Sequence, residues 1–268
     1  MTRFDRATTP IRRGPEIFSV ELDEGWWAGN GPNGGYLAAV LVRAVEEQLA
    51  DDNRRIRSVS IHYLSKAEGG PADVEVATLR EGRSVSTFTA SLRQGGKLIA
   101  TALGAIGTDR DGPEFLDANP PVLDDPESIT EGVFAPAIPS EYAPQIASRY
   151  NYRRAIGAPP FTESAAAETG GWIQLNEPRR VDAPLLAAMS DAWMPAMFSR
   201  VGGPWGITTV DLTIHFRTDP RHLFDEWCRI RFQSIASMNG YCEEDCEIWS
   251  RDGQLLAQSR QLAALIRF

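Results

Sequence analysis

The sequence predicts an α+β chain in which one unit, a helix followed by an antiparallel sheet, occurs twice. Three observations carry this. Two helical stretches, "GPNGGYLAAVLVRAVEEQL" and "APLLAAMSDAWMPAMFSRV", each precede a run of alternating polar and apolar residues. Short phrases recur behind both: "IHYL" against "IHFR", and "GGKLIA" against "DGQLLA". The recurrence has a period of about 155 residues, which marks internal duplication.

In the first unit, Leu37, Val40, Leu41, Ala44 and Val45 form an apolar stripe at helical spacing. "RSVSIHYLSKA" and "ADVEVATLREGRSVSTFTASLRQGGKLIATALGAI" then alternate, with turn signals at Glu81-Gly82 and Gly95-Gly96. Four antiparallel strands are expected behind the helix. In the second unit "ITTVDLTIHFRTD" and a long alternating run follow the helix, with turns at Asn239-Gly240 and Asp252-Gly253. Between the units, Thr108 to Pro160 is rich in Asp and Pro. Nine of the eighteen prolines fall there, the composition of a joining segment. The expected division is residues 1–108, a linker over 109–148, and residues 149–268. A sheet that wraps its helix buries it, and two such units can join their sheets and pack their helices together. That arrangement is the hotdog fold, here doubled in one chain.

Composition narrows the function. With 268 residues and a net charge of −9, non-specific nucleic-acid binding is not expected. No apolar run reaches the ~18 residues of a membrane span, and "MTRFDRATTPIRRGPE" lacks the apolar core of a secretory signal. The three cysteines, Cys228, Cys242 and Cys246, are an odd set that fits a reducing cytoplasm. "YCEEDC" has neither a Cys-x-x-Cys pair nor a nearby histidine, so no metal and no other cofactor is expected. A joined double sheet still has free edges, and a homo-oligomer is expected.

One stretch is chemically odd. "AAMSDAWMPAM" reads as a buried helix, yet it holds Asp191 and, four residues on, Pro195. A proline ring collides with the carbonyl four residues back and removes a ladder hydrogen bond. The helix should therefore bend at Asp191 and turn its carboxylate toward a water pocket.

The phrases "NGGYLAAVL", "VATLREGRSVSTFTASLRQGGKLI", "SDAWMP", "TTVDLTIHFR" and "DGQLLAQSRQ" resemble the type II acyl-CoA thioesterases, whose tandem hotdogs sit in one polypeptide. The resemblance spans nearly the whole chain except the linker, which differs in length and composition. It implies an acyl-CoA substrate, hydrolysis to free acid and CoA, and three water-holding residues: Asp191, Thr209 and Gln261.

The chemistry is consistent on its own terms. Thioester hydrolysis needs a positioned water, a group that takes its proton, and donors for the oxyanion. A carboxylate, a hydroxyl and an amide supply the first two. No Gly-x-Ser-x-Gly nucleophile elbow competes. Aligning the two units places Gly35 opposite Asp191, Ile56 near Thr209 and Gly104 opposite Gln261, so one site per chain is expected.

Other residues have weaker readings. Asp211 and His215, four apart in "DLTIH", would suit a hydratase, but four strand positions span about 13 Å. His62 matches His215 in the other unit, which argues for a scaffold role, and His222 lies in a polar turn. Gly34 and Gly35 end the "GNGPNGG" loop at a helix start, where free N–H groups suit a thioester oxygen. Trp193 and Phe198, with Trp26, Trp27, Met194 and Met197, are candidates for an acyl tunnel. Arg54, Arg55, Arg57, Arg179 and Arg180 are candidates for the CoA phosphates. The alternatives are a non-catalytic acyl-binding or assembly protein, and a hydratase or dehydratase on the same fold.

Overall fold

Two antiparallel sheets, each with a helix against it, join edge to edge. The computed structural model describes residues 1–51, 53–133, 143–203 and 205–267. After helix α1 (Arg3–Thr8), the first half runs β1 (Ile11–Arg12), β2 (Ile17–Leu22), α2 (Gly34–Leu49), β3 (Arg55–Tyr63), β4 (Gly70–Arg80), β5 (Val85–Gln94) and β6 (Lys97–Gly107). The second half runs β7 (Tyr150–Ile156), β8 (Ala167–Leu175), α3 (Ala183–Met189), α4 (Met197–Arg200), β9 (Trp205–Phe216), β10 (Cys228–Ser234), β11 (Ser237–Met238), β12 (Tyr241–Trp249) and β13 (Leu255–Arg267). The strand order is β1-β2-β4-β5-β6-β3-β9-β13-β12-β10-β8-β7, with β11 beside β12 off this path. Outward from the β3–β9 seam, both halves follow one order.

The seam marks the axis that relates them. Ser60 lies opposite Thr213 in the antiparallel register, and the Thr213 hydroxyl donates to Ser60 Oγ at 2.9 Å. Both residues precede the "IH" of their half by one position. Equivalent residues that face each other directly lie on a pseudo-twofold axis.

Helix α2 is buried around its whole circumference from Tyr36 to Val42, and again at Ala44 and Val45, as expected of a stretch with no charged side chain before Arg43. Asn33 caps it, accepting from the Tyr36 N–H at 3.0 Å. The helices of the two halves meet at Gly35. A Cβ there would lie 2.5 Å from the Ala188 carbonyl oxygen, so only glycine allows this approach.

The second helix differs from expectation. "APLLAAMSDAWMPAMFSRV" forms two helices, α3 and α4, and residues 190–196 are non-helical. The Asp191 N–H still reaches back to Ala188 O, at 3.4 Å. Pro195 then has no N–H to offer the Asp191 carbonyl, so the chain leaves the helix rather than merely bending. Strands β2, β7 and β8, which precede the helices, were also not expected. β7 lies in the proline-rich stretch, and β8 is buried along most of its length with two glycines, so neither presents a clean alternation.

Each half carries a bulge at the same place. In β9, Asp211 pairs with Leu262 and Thr209 with Ala263, leaving Val210 extra. In β3, Ser58 pairs with Ala105 and Ile56 with Ile106, leaving Arg57 extra. A bulge reverses the in–out alternation beyond it.

Candidate functional site

The break in the second helix exposes a carbonyl and a carboxylate, and the first half answers both. Asn33 Nδ2 donates to the Asp191 carbonyl at 2.7 Å and to Asp191 Oδ2 at 2.9 Å. The Gly35 N–H donates to the same Oδ2 at 3.0 Å. Asp191 is thus partly buried at the N-terminus of α2, where the helix dipole favours an anion. Burial nevertheless pushes its carboxyl up to about 6, against the opposing pull of the Gly35 N–H, the Gln261 amide, the Gly34 N–H and Asn33.

Thr209 and Gln261 come from the two strands next to the seam. The alternation through Leu212, Ile214 and Phe216, all buried, would turn Thr209 outward. The Val210 bulge turns it inward, onto the face shared by Gln261 and Ala263. There the Thr209 hydroxyl donates to Gln261 Oε1 at 3.0 Å. Gln261 is only 4% exposed, and its Nε2 donates to Glu244 Oε1 at 2.8 Å. Thr209 of β9 and Gln261 of β13 are thus joined directly, and the Gln261 amide stands close enough to Asp191 of the broken helix to favour its ionised form.

Three neighbours went unread in the sequence. Asn33 stands at a cap position, a legible signal, but its reach to Asp191 crosses between the halves. The Tyr63 hydroxyl donates to the Gly34 carbonyl at 2.7 Å, and burial, reinforced by the charges of Asp191 and Asp211, holds it protonated. Glu244 is the third. Its oxygens accept from Gln261 and from the Ala196 N–H, and burial pushes its carboxyl up to about 8, the Asp191 charge adding to the effect. The inward positions of β12 are Cys242, Glu244, Cys246 and Ile248. An acid in that series was the available signal.

The other half has none of this. Ile56, matching Thr209, is buried, and Gly104, matching Gln261, lies beneath the Phe88 ring. His62 and His215 sit at exposed positions on the strands, and His222 is held in its turn by the Asp219 carbonyl at 3.1 Å, so no histidine stands beside Asp191. Burial raises the Cys242 thiol to about 11 and the Cys228 thiol to about 12, which keeps both unreactive.

Comparison with known proteins is decisive at the level of family. The model of the acyl-CoA thioesterase N-terminal domain matches residues 23–107, and that of the acyl-CoA thioesterase C-terminal domain matches residues 119–265. The chain belongs to the acyl-CoA thioesterase family. A hot dog protein of unknown function from Alicyclobacillus acidocaldarius superposes with a TM-score of 0.89 at 26% identity, over 100% of this chain and 99% of that one. The acyl-CoA thioesterase II TesB2 of Mycobacterium marinum shares the fold at a TM-score of 0.78 and 17% identity, over 99% of this chain and 98% of that one. An uncharacterised protein of Mycobacterium tuberculosis is 25% identical over 268 residues, covering 92% of this chain and 90% of its own length.

The remaining candidates of this thioesterase are distributed differently. Trp193 Nε1 donates to Thr169 Oγ1 at 3.0 Å, and its ring meets Tyr152 edge-on at 5.4 Å. Phe198 packs against Phe161 at 5.2 Å. Trp26 stacks on Tyr36, and Met197 packs against Cys242 and Ala263. All four are buried beside the broken helix or α2. The arginines are elsewhere. Arg54, Arg55 and Arg57 line a cavity of about 280 Å³ together with Glu46, Asp182 and Phe216. Glu46 lies twelve residues along α2 from Gly34, about 18 Å at helical rise. These arginines are already paired, Arg54 with Asp51 and both others with Asp109. Arg179 pairs with Asp5 and Asp182, and Arg180 donates to the Arg221 carbonyl.

Proposed function

We propose that this thioesterase hydrolyses acyl-CoA by direct attack of a water held between Asp191, Thr209 and Gln261. Asp191 takes one proton from the water as its oxygen bonds to the thioester carbonyl carbon. The tetrahedral intermediate then collapses, the C–S bond breaks, and the proton carried by Asp191 passes to the departing CoA sulfur. The products are a free acid and CoA. A carboxyl with a pKa of about 6 is mostly ionised at neutral pH, yet basic enough to accept and return a proton.

The observation that carries this reading is the contrast between the halves. Thr209 and Gln261 occupy inward positions that the other half fills with Ile56 and Gly104, and the carboxylate of Asp191 accepts from the Gly35 N–H. A fold that needs no polar group at those points has three in one copy. Gly34 and Gly35 are the proposed neighbours of the thioester oxygen: once Asp191 is protonated, their N–H groups are free to turn to the oxyanion. Trp193 and Phe198 are the proposed apolar wall for the acyl chain.

Asp191→Asn tests the reading. Asparagine keeps the size and the hydrogen bonds but cannot take the proton. In a thiol-release assay over acyl-CoAs from acetyl to palmitoyl, kcat on the best substrate should fall by ~10²-fold or more with KM little changed. Wild-type turnover in this variant would end the assignment and favour a non-catalytic acyl-binding protein.

A further inference from the structure

Glu244 stands where the first half of the molecule has Phe88. The register establishes the match: Glu244 pairs with Gln261 across β12 and β13, as Phe88 pairs with Gly104 across β5 and β6. Gly104 and Gln261 correspond in turn, because Val59 and Leu212, which match across the seam, pair with them. Phe88 is 1% exposed, and its ring fills the space over Gly104, where a Cβ would come within 2.4 Å of it. An aromatic ring is thus what this point of the fold accepts when packing alone is at stake.

A carboxylate at 4% exposure is costly there unless its oxygens are hydrogen-bonded. Glu244 uses both. One accepts from Gln261 Nε2 at 2.8 Å, the other from the Ala196 N–H. Ala196 closes the non-helical segment 190–196 that carries Asp191. A single side chain therefore ties that segment to the strand that carries Gln261.

The choice of a carboxylate has a further consequence. The Gln261 amide can be seated two ways, and a threonine hydroxyl cannot choose between them, since it both donates and accepts. Glu244 accepts with both oxygens, one from the Gln261 amide and the other from the Ala196 N–H. It draws the NH₂ edge of Gln261 toward itself, which leaves the second amide hydrogen for Asp191 and Oε1 for Thr209.

We infer that Glu244 is a positioning residue: by accepting from Gln261 and from Ala196, it sets which edge of the amide serves Asp191 and holds the Asp191 segment in place. This rests on the proposed role of Gln261 at the water. Nothing in the chemistry requires Glu244 to touch the substrate.

The test is a double-mutant cycle of Glu244→Gln and Gln261→Ala, read as kcat and KM separately. In Glu244→Gln the new NH₂ confronts the NH₂ of Gln261, so the amide must turn. The expected result is a fall in kcat of ~10- to 100-fold with KM within ~3-fold. In the Gln261→Ala background the same substitution should cost no more than ~3-fold, because there is no amide left to orient. Glu244→Met, which fills the space as Phe88 does, should repeat both results and covers the case in which Glu244→Gln fails to fold. Equal losses in the two backgrounds, or wild-type kcat in Glu244→Gln, would overturn the positioning role alone. Wild-type kcat in Gln261→Ala would instead overturn the water-holding role of Gln261, and the inference with it.

Discussion

Asn33 donates from one side-chain nitrogen to both the carbonyl and the carboxylate of Asp191, at 2.7 and 2.9 Å. It also caps α2 by accepting from the Tyr36 N–H. The helix start of one half thus completes the helix break of the other. Pro195 removes the ladder partner of the Asp191 carbonyl, and Asn33 replaces it.

Substitution at Asn33 separates the two duties. Asn33→Asp keeps an acceptor for Tyr36 but loses the donor and places a second carboxyl against Asp191. Like charges at this range favour protonation. The acid limb of kcat should move upward from about pH 6, so that activity lost at pH 7 returns in part by pH 9. Asn33→Ala loses both duties, and its stability should fall as well, by the ~1 kcal/mol of a lost cap plus the ~1–3 kcal/mol of an unsatisfied buried carbonyl. A pH–rate profile for Asn33→Asp that overlies the wild type would show that Asp191 does not feel this residue.

The two raised carboxyls predict the direction of pH dependence. Asp191, near 6, and Glu244, near 8, both lie above their unfolded values of 3.8 and 4.5. Between those limits the native state binds more protons than the unfolded state, so these groups make stability fall as pH rises. Glu244→Gln should therefore gain thermal stability relative to wild type at pH 8 and little at pH 5. The groups facing Glu244 are Asp191, whose carboxyl is also raised, Glu243 and the thiols of Cys242 and Cys246. Paired melts of the two proteins at pH 5, 6.5 and 8 check this. A difference independent of pH would mean that Glu244 titrates as an ordinary surface acid.

Gly35 carries the close contact between helices. A methyl group there would sit 2.5 Å from the Ala188 carbonyl oxygen and 3.0 Å from Asp191 Cβ. Backbone cannot yield cheaply, so Gly35→Ala should separate α2 from α3 at a cost of ~1–3 kcal/mol. Because the Gly35 N–H also holds Asp191 Oδ2, kcat should fall with stability. Unfolding curves and turnover on one sample decide it; full activity with lowered stability would confine Gly35 to packing.

Most of this was legible in the sequence, for identifiable reasons. The duplication shows in repeated phrases, because both halves solve one packing problem with one pattern. Asp191 and Pro195 are conspicuous because a charge and a helix breaker rarely share a buried helix. The contact between Asn33 and Asp191 was hidden, since it joins residues from different halves and no local period records it. The inward turn of Thr209 was hidden too. It depends on the bulge at Val210, and alternation read along β9 from Leu212 gives the opposite face. Glu244 is masked because "YCEEDC" has the residue types of a metal motif, while the alternation that puts one acid on the buried side of β12 is short.

The bulge gives Thr209 a match in the other half of the molecule. Thr209 and Ile56 occupy matching places, each just beyond the extra residue of its strand, and each is turned inward. Ile56 is 2% exposed in a packed apolar site. Thr209→Ile therefore installs a side chain that this backbone already accommodates in the other half, and β-branching, which suits a strand, is kept. The fold should be preserved, with stability lowered by ~1–3 kcal/mol for the donor that the buried Gln261 oxygen loses. Activity should not survive as well. Gln261 Oε1 loses the hydroxyl that donates to it at 3.0 Å, and the water loses one of its partners, so kcat should fall by ~10- to 100-fold. Thr209→Ser restores the hydroxyl without the methyl and should recover most of the loss. Steady-state kinetics on the three proteins, beside melts that confirm folding, separate the cases. Wild-type kcat in the Thr209→Ile enzyme would remove Thr209 from the site and leave Asp191 and Gln261 to hold the water alone.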